Sequence, residues 1–400
     1  MKYPTTQIKD ICSLVTSGGT PLTSMESYYF PPEIPWLKTA EVNYCRIYDT
    51  EKYISREGLA RSSAKLIPAN SVIIAMYGQG DTAGRVAINK IPLSTNQACC
   101  NLIINDEKAD YEFVYYALST LYDKLVSLKN GGAQPNLNAG IIKAIEIPYP
   151  DIDTQRRIAS ILSAYDDLIE NNRKQIKLLE EAAQRLYKEW FVDLRFPGWE
   201  TAEIVDGVPV GWEYCLLSDI AVVNSQQIGK GYPHEKILYV DLSSVRNGHI
   251  LEYTDFNLKD APGRAKRLAN DGDIIWGMVR PNLCSYALVM HPNDNDVFST
   301  GFAVITAIKV PFSFLYCLVT QKTFIGYLVN CTNGAAYPAV KPIHFENAKV
   351  LKPTNDLLVR FHEIAEPFFR KIELLDKQIV SLSEARDRLL PKLMSGELEV

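Results

Sequence analysis

"IKLLEEAAQRLYKEW" (Ile176 to Trp190) and "IVSLSEARDRLLPKL" (Ile379 to Leu393) are one helical pattern written twice, at a constant offset of 203 residues. The correspondence reaches further in both directions: Ile158/Phe361, Leu162/Ala365, Tyr165/Phe368, Ile169/Ile372, Asn172/Leu375, Ile176/Ile379, Leu179/Leu382, Ala183/Arg386, Leu186/Leu389 and Trp190/Leu393. Successive positions step by four and three, the spacing that lays a narrow apolar seam along one helix face, over about five heptads in each copy. A helix wetted on its far side shows a broader stripe and drifts at 3.6 residues per turn. Each of these helices therefore needs a long partner. The other copy is the nearest one, since an intramolecular pair loses less association entropy than two separate chains.

Asn172 and Arg386 fall on this seam as polar members. They either fix register at a cost in stability or sit at frayed, solvent-reaching positions. Start signals precede both helices: Pro150 with Asp151 or Asp153, and Pro353 with Thr354 or Asn355. The first helix is predicted from about Thr154 to Trp190, a span of about 55 Å at 1.5 Å per residue. Pro367 is expected to kink or restart the second.

What precedes each helix is also doubled. "PWLKTAEVN" answers "LYVDLSSVR", a β-like run ending in a polar loop. "AKLIPANSVIIAMYGQG" answers "AKRLANDGDIIWGMVRP", with apolar strands at Val72 to Met76 and Ile274 to Met278. "STNQACCNLII" answers "STGFAVITAI", and "NGGAQPNLN" answers "NGAAYPAVK". Between these runs lie helical patterns such as "YEFVYYALSTLYDKLVSL" and "FSFLYCLVTQKTFIGYLV". The expected class is mixed α/β (α+β), with pseudo-twofold geometry. Its segments are a first head (1–150), a first spacer helix (151–198), a second head (199–353) and a second spacer helix (354–400), the helices pairing antiparallel.

Composition narrows the chemistry. With 47% hydrophobic and 22% charged residues the chain folds rather than staying disordered, and a net charge of −5 argues against a uniformly basic coat while leaving room for a local basic face. Eight Cys without a CxxC pair, and five scattered His, suggest neither zinc nor a disulfide framework, so the thiols are expected to be buried and free. No membrane-length apolar run and no signal core are present, and the expected compartment is the reducing cytoplasm.

Motifs for catalysis are missing as well. "GQGDTAG" (Gly78 to Gly84) is GxGxxxG followed by a strand-like "RVAINKI", a poor dinucleotide fingerprint. The sequence has no GxxxxGK[ST], HExxH or GxSxG, and its only Pro-Pro, in "YFPPEIP", lacks the Asn or Asp of an adenine methyltransferase motif. Asp106, Glu107 and Lys108 are expected to form a solvated turn rather than a nuclease cluster. No cofactor, metal site or catalytic residue is expected. Two dissimilar heads on a spacer suggest binding at two places.

At this point the residues reach a family. "IPYPDIDTQRRIASILSAYDDLIENNRKQIKLLEEAAQRLYKEWFVDLRFPG", "GVPVGWEYCLLSDI", "IPWLKTAEV" and the closing "LLPKLMSGELEV" resemble the specificity subunit of Type I restriction-modification systems, over essentially all 400 residues. The resemblance implies that each half is a target recognition domain followed by a spacer helix, that each domain reads one half of a split, asymmetric DNA sequence, and that the helices set the gap. It further implies two methyltransferase subunits, which use S-adenosylmethionine to methylate adenine N6, and two ATP-dependent restriction-translocase subunits. The chain departs from the pattern in two places: its first half opens without the "VPVGW" lead, and Gln155 of "TQRRI" becomes Leu358 in the second copy.

Base edges are read by Arg, Lys, Asn, Gln or acidic side chains, and phosphates by cations. In the first head the candidates are Arg56, Arg61 and Lys65 before the central strand and Gln79, Asp81 and Arg85 in the loop after it. In the second they are Arg264, Lys266 and Arg267, then Arg280 and Asn282. Arg173, Lys174, Lys177, Glu180 and Glu181 are expected on outward helix faces, where partner subunits can dock. Two other classes compete: a scaffold whose heads bind proteins, and a self-contained nuclease or methyltransferase.

Overall fold

The computed structural model describes residues 3–129, 136–332 and 338–400. Most of the paired runs "NGGAQPNLN" and "NGAAYPAVK" therefore lies outside the described residues. The chain forms two compact units, Met1–Glu170 with Ile379–Val400, and Asn171–Gln378.

The first unit is built on two sheets. One has five strands in the order Cys12–Ser17, Cys99–Ile104, Val72–Ala75, Val86–Asn89, Cys45–Ile47; the other has four, Tyr53–Ile54, Ile34–Leu37, Leu93–Thr95, Leu66–Ile67. Val72–Ala75 and Val86–Asn89 are buried at every position, as strands covered on both faces must be. Two helices, Tyr111–Ser119 and Tyr122–Ser127, cover the larger sheet with Phe113, Val114 and Leu118. The Asp110 carboxylate caps the first of them by accepting the Phe113 N–H at 2.9 Å.

The second unit repeats this order. Ala221–Val223, Phe302–Ala307, Ile274–Gly277 and Tyr286–Leu288 form one sheet, and Thr254–Asn257, Lys236–Val240, Asp296–Ser299 and Ala265–Arg267 the other. Helices Phe312–Val319 and Lys322–Asn330 stand where the first unit has its helix pair. In both units the strand carrying the quoted repeat (Ile34–Leu37; Lys236–Val240) runs parallel to the "ST" strand and opens a 3-10 turn, Thr39–Glu41 or Leu242–Ser244. The first unit has the edge strand Cys45–Ile47 beside Val86–Asn89; the second has a hairpin, Val245–Arg246 with His249–Ile250, bridging to Ala287.

The long helices are Ile152–Tyr187, continued by a π turn at Lys188–Val192, and Asn355–Ser395. Asp151 is the cap of the first: its carboxylate takes the Thr154 N–H at 3.0 Å and hydroxyl at 2.8 Å, which holds the Asp151 pKa below its ordinary value. Gln155 is fully buried, donating to the Pro150 carbonyl at 2.9 Å and accepting the Asp110 N–H at 3.1 Å, whereas Leu358 fills its place with apolar volume. Within each unit the helices run antiparallel. In the first, Asp166 meets Arg386 at 2.6 Å and Ile158 and Leu162 share a core with Leu389 and Leu393. In the second, Asn172 donates to Gln378 at 3.2 Å and Trp190 packs edge-on against Phe361 at 6.1 Å.

Ile158, Leu162, Ile169, Asn172, Ile176, Phe361 and Leu375 are buried, and Tyr165, Leu179, Leu186, Phe368, Ile372, Ile379, Leu382 and Leu389 are half-buried. Asn172 and Arg386 are paired, so neither is frayed. The expectation that Pro367 restarts the second helix is overturned: the helix is continuous through it. Proline removes one N–H bond and crowds one carbonyl, and Phe361, Ala365 and Phe369, buried to either side in one core, hold the turns together.

Candidate nucleic-acid interface

The first unit's candidates occupy three places. Arg56 opens the short helix Arg56–Ala60 and pairs with Glu33 at 3.3 Å, and Arg61, at its other end, pairs with Glu57 at 3.5 Å. Lys65 donates to the Thr16 hydroxyl at 2.8 Å. Gln79, Asp81 and Arg85 share the turn between Val72–Ala75 and Val86–Asn89, where Arg85 donates to Asn43 at 3.0 Å and lies 3.8 Å from Asp81. The Asp81 carbonyl accepts the Tyr122 hydroxyl at 3.0 Å, and Tyr122 stacks edge-on against Tyr44. This turn leads into a strand, as a dinucleotide loop does not.

In the second unit, two candidates meet at a cavity of about 800 Å³ whose lining includes Asp241, Arg246, Arg264, Arg280, Ser299 and Thr300. Three arginines and one carboxylate line it. Arg264 reaches Asp241 at 2.6 Å, and that carboxylate's other oxygen takes the Leu242 N–H at 2.5 Å. The Asp241 charge holds the Arg264 pKa above its ordinary value. Arg280 and Cys284 both take left-handed φ values, +50° and +54°, at the two ends of the turn Pro281–Leu283. Non-glycine residues held this way store strain, which is found preferentially at functional positions. Asn282 is exposed on this turn, and Lys266 is exposed on the strand Ala265–Arg267. Arg267 is half-buried, its Nε lacks a hydrogen-bond partner and burial lowers its pKa.

Arg246 was not among the sequence candidates, although "LYVDLSSVR" ends on it. Its hairpin is pinned to both long helices by His249, which lies 3.3 Å from Asp376 and 3.3 Å from Glu180. Those hydrogen bonds, Asp376 first, raise the His249 pKa to about 10 against the opposing effect of burial. The first unit has a matching pin at the 203-residue offset: Arg46, on the edge strand, bonds to Asp167 and lies 3.8 Å from Glu170 of the long helix. Glu180 is thereby drawn off the outward face where it was expected. Lys177 and Glu181 remain there, 3.9 Å apart.

All eight cysteines are free. Among the described residues no group of three or more His, Cys, Asp or Glu is placed to hold a metal, and no single helix is long and apolar enough to cross a membrane. Asp106, Glu107 and Lys108 lie exposed in a turn.

Two units that share a sheet and helix order but differ at an edge strand and in polar residues at matching places define a duplicated, two-headed binding protein. A family model described as Type I restriction modification DNA specificity domain matches residues 2–181. The chain is 32% identical over 415 residues to the Type I restriction enzyme MjaIX specificity subunit of Methanocaldococcus jannaschii, covering 98% of this chain and 93% of that protein. It is 33% identical over 421 residues to the putative MjaX specificity subunit of the same organism, with the same coverage. Its fold matches the S subunit of a Type I restriction-modification system from M. genitalium with a TM-score of 0.64 at 17% identity, over 98% of this chain and 96% of that one. The chain belongs to the Type I restriction enzyme specificity subunits, and its role is DNA recognition.

Proposed function

We propose that each unit reads one half of a bipartite, asymmetric site on double-stranded DNA, and that the length of the paired helices sets the gap between the halves. The observation that carries this is the replacement of Lys38 by Asp241 at matching places: each follows the repeated strand and precedes its 3-10 turn. One frame with opposite charges at one position reads two different half-sites, whereas a symmetric dimer favours a palindrome. The chain is non-catalytic and binds no cofactor. It docks two methyltransferase subunits and two restriction-translocase subunits, with Arg173, Lys174, Lys177 and Glu181 on the helix surface offered to them.

Selection from random duplex DNA, with the methyltransferase subunits assembled on the chain, tests this. The expected product is two short, unlike sequences separated by a fixed number of unread base pairs. Enrichment of nothing would leave a scaffold whose heads bind proteins, and a palindrome would overturn the division between the units.

A further inference from the structure

We propose that Arg264, braced by Asp241, reads a guanine in the major groove, so that the half-site of the second unit contains a G·C pair read by this residue. The inference rests on the DNA-reading function proposed above and specifies which base one cavity residue selects.

The brace is built from the turn outward. Asp241 ends the strand Lys236–Val240 and caps the turn Leu242–Ser244 through one carboxylate oxygen, leaving the other for the Arg264 guanidinium. The Tyr239 hydroxyl lies 3.5 Å from the same oxygen. Asp241 takes one guanidinium nitrogen and the Tyr239 hydroxyl also bonds the group, while the side chain remains 59% exposed at the cavity. An exposed ion pair of this kind adds little to stability. What it does provide is a fixed fork, which reduces the rotamer entropy lost on docking.

Two features separate a base reader from a phosphate anchor. The carboxylate offsets the charge of Arg264 itself, while Arg246 and Arg280, lining the same cavity, keep the cavity as a whole positive. Guanine instead offers O6 and N7 side by side, two acceptors matched to the free edge of an arginine fork. Lys266, exposed on the neighbouring strand, is the better phosphate contact. In the first unit Lys38 holds the place of Asp241, with its N–H on Glu41 at 3.0 Å, so this arginine–carboxylate brace belongs to one unit.

The test is the same duplex-DNA selection, run on the assembled methyltransferase complex with wild-type chain, Arg264→Lys and Arg264→Ala. Lysine keeps the charge but not the fork. Both variants are expected to lose about tenfold or more of the preference for guanine at one position of one half-site. The other half-site and the gap should be retained, which also reports that the variants fold. Guanine preference kept by Arg264→Lys would overturn the proposal. So would a loss of affinity in Arg264→Ala that is equal for all sequences and lowers the salt-dependence slope by about one, and so would a wild-type site lacking a G·C pair in that half. A wild-type complex that enriches nothing would instead overturn the DNA-reading function itself.

Discussion

His249 is the only histidine pinned between two carboxylates from different long helices among the described residues, and its charge has a measurable consequence. Its folded pKa, about 10, lies above the ordinary 6.5. The stabilisation is therefore complete below about pH 6.5 and is lost as the pH rises toward 10, because only the folded state keeps the proton in that window. The thermal midpoint of the wild-type chain should fall between pH 7 and pH 10 more steeply than that of His249→Gln; parallel curves would show that the histidine is not linked to folding. Neither this pin nor its counterpart Arg46 was legible in the sequence, although the two stand at the repeat's own offset, because the partners of each are remote in sequence. Arg246 was missed for a related reason: a two-residue strand has too little pattern to announce which way its side chain goes. Arg56 and Arg61 were named for their charge and their place before the central strand, matched in the second head, and the structure gives both a carboxylate neighbour.

At the scale of elements the helix seam was the most legible feature, since burial along a heptad repeats often enough to be read without its partner. The strands were legible too, being apolar runs bounded by turn residues. Pro367 does not restart the helix, because the packed core around Phe361, Ala365 and Phe369 outweighs its local backbone preference. The polar layers needed coordinates: Asp166 sits beside the seam position Tyr165, and its pairing with Arg386 joins two segments 220 residues apart. Tyr116 also donates to Asp166, at 2.5 Å. Arg386→Met should cost about 2–4 kcal/mol, since it strands a nearly buried carboxylate. Adding Asp166→Leu should recover most of that loss. A double-mutant cycle by denaturant unfolding measures both, and strict additivity would mean that the pair is not coupled.

For the molecule as a whole, the doubled layout was legible because its copies still share their apolar frame, while the recognition surface was not. The candidate reading residues are mostly exposed and follow no period, so their identity can vary without disturbing a core. If helix length sets the gap, inserting one heptad into each long helix adds about 10 Å and should widen the preferred gap by about three base pairs with both half-sites unchanged. Altered half-sites at an unchanged gap, read by sequencing the methylated sites, would contradict the assignment.

The first unit is completed by Ile379–Val400, with Leu393 and Met394 buried in its core. A chain emerging from the ribosome thus carries that unit unfinished until residues 379–400 have been made. The second unit, contiguous from Asn171 to Gln378, is free to close earlier. A nascent chain halted before residue 379 would therefore hold every residue of the second unit while the first still lacked Leu393 and Met394 of its interior.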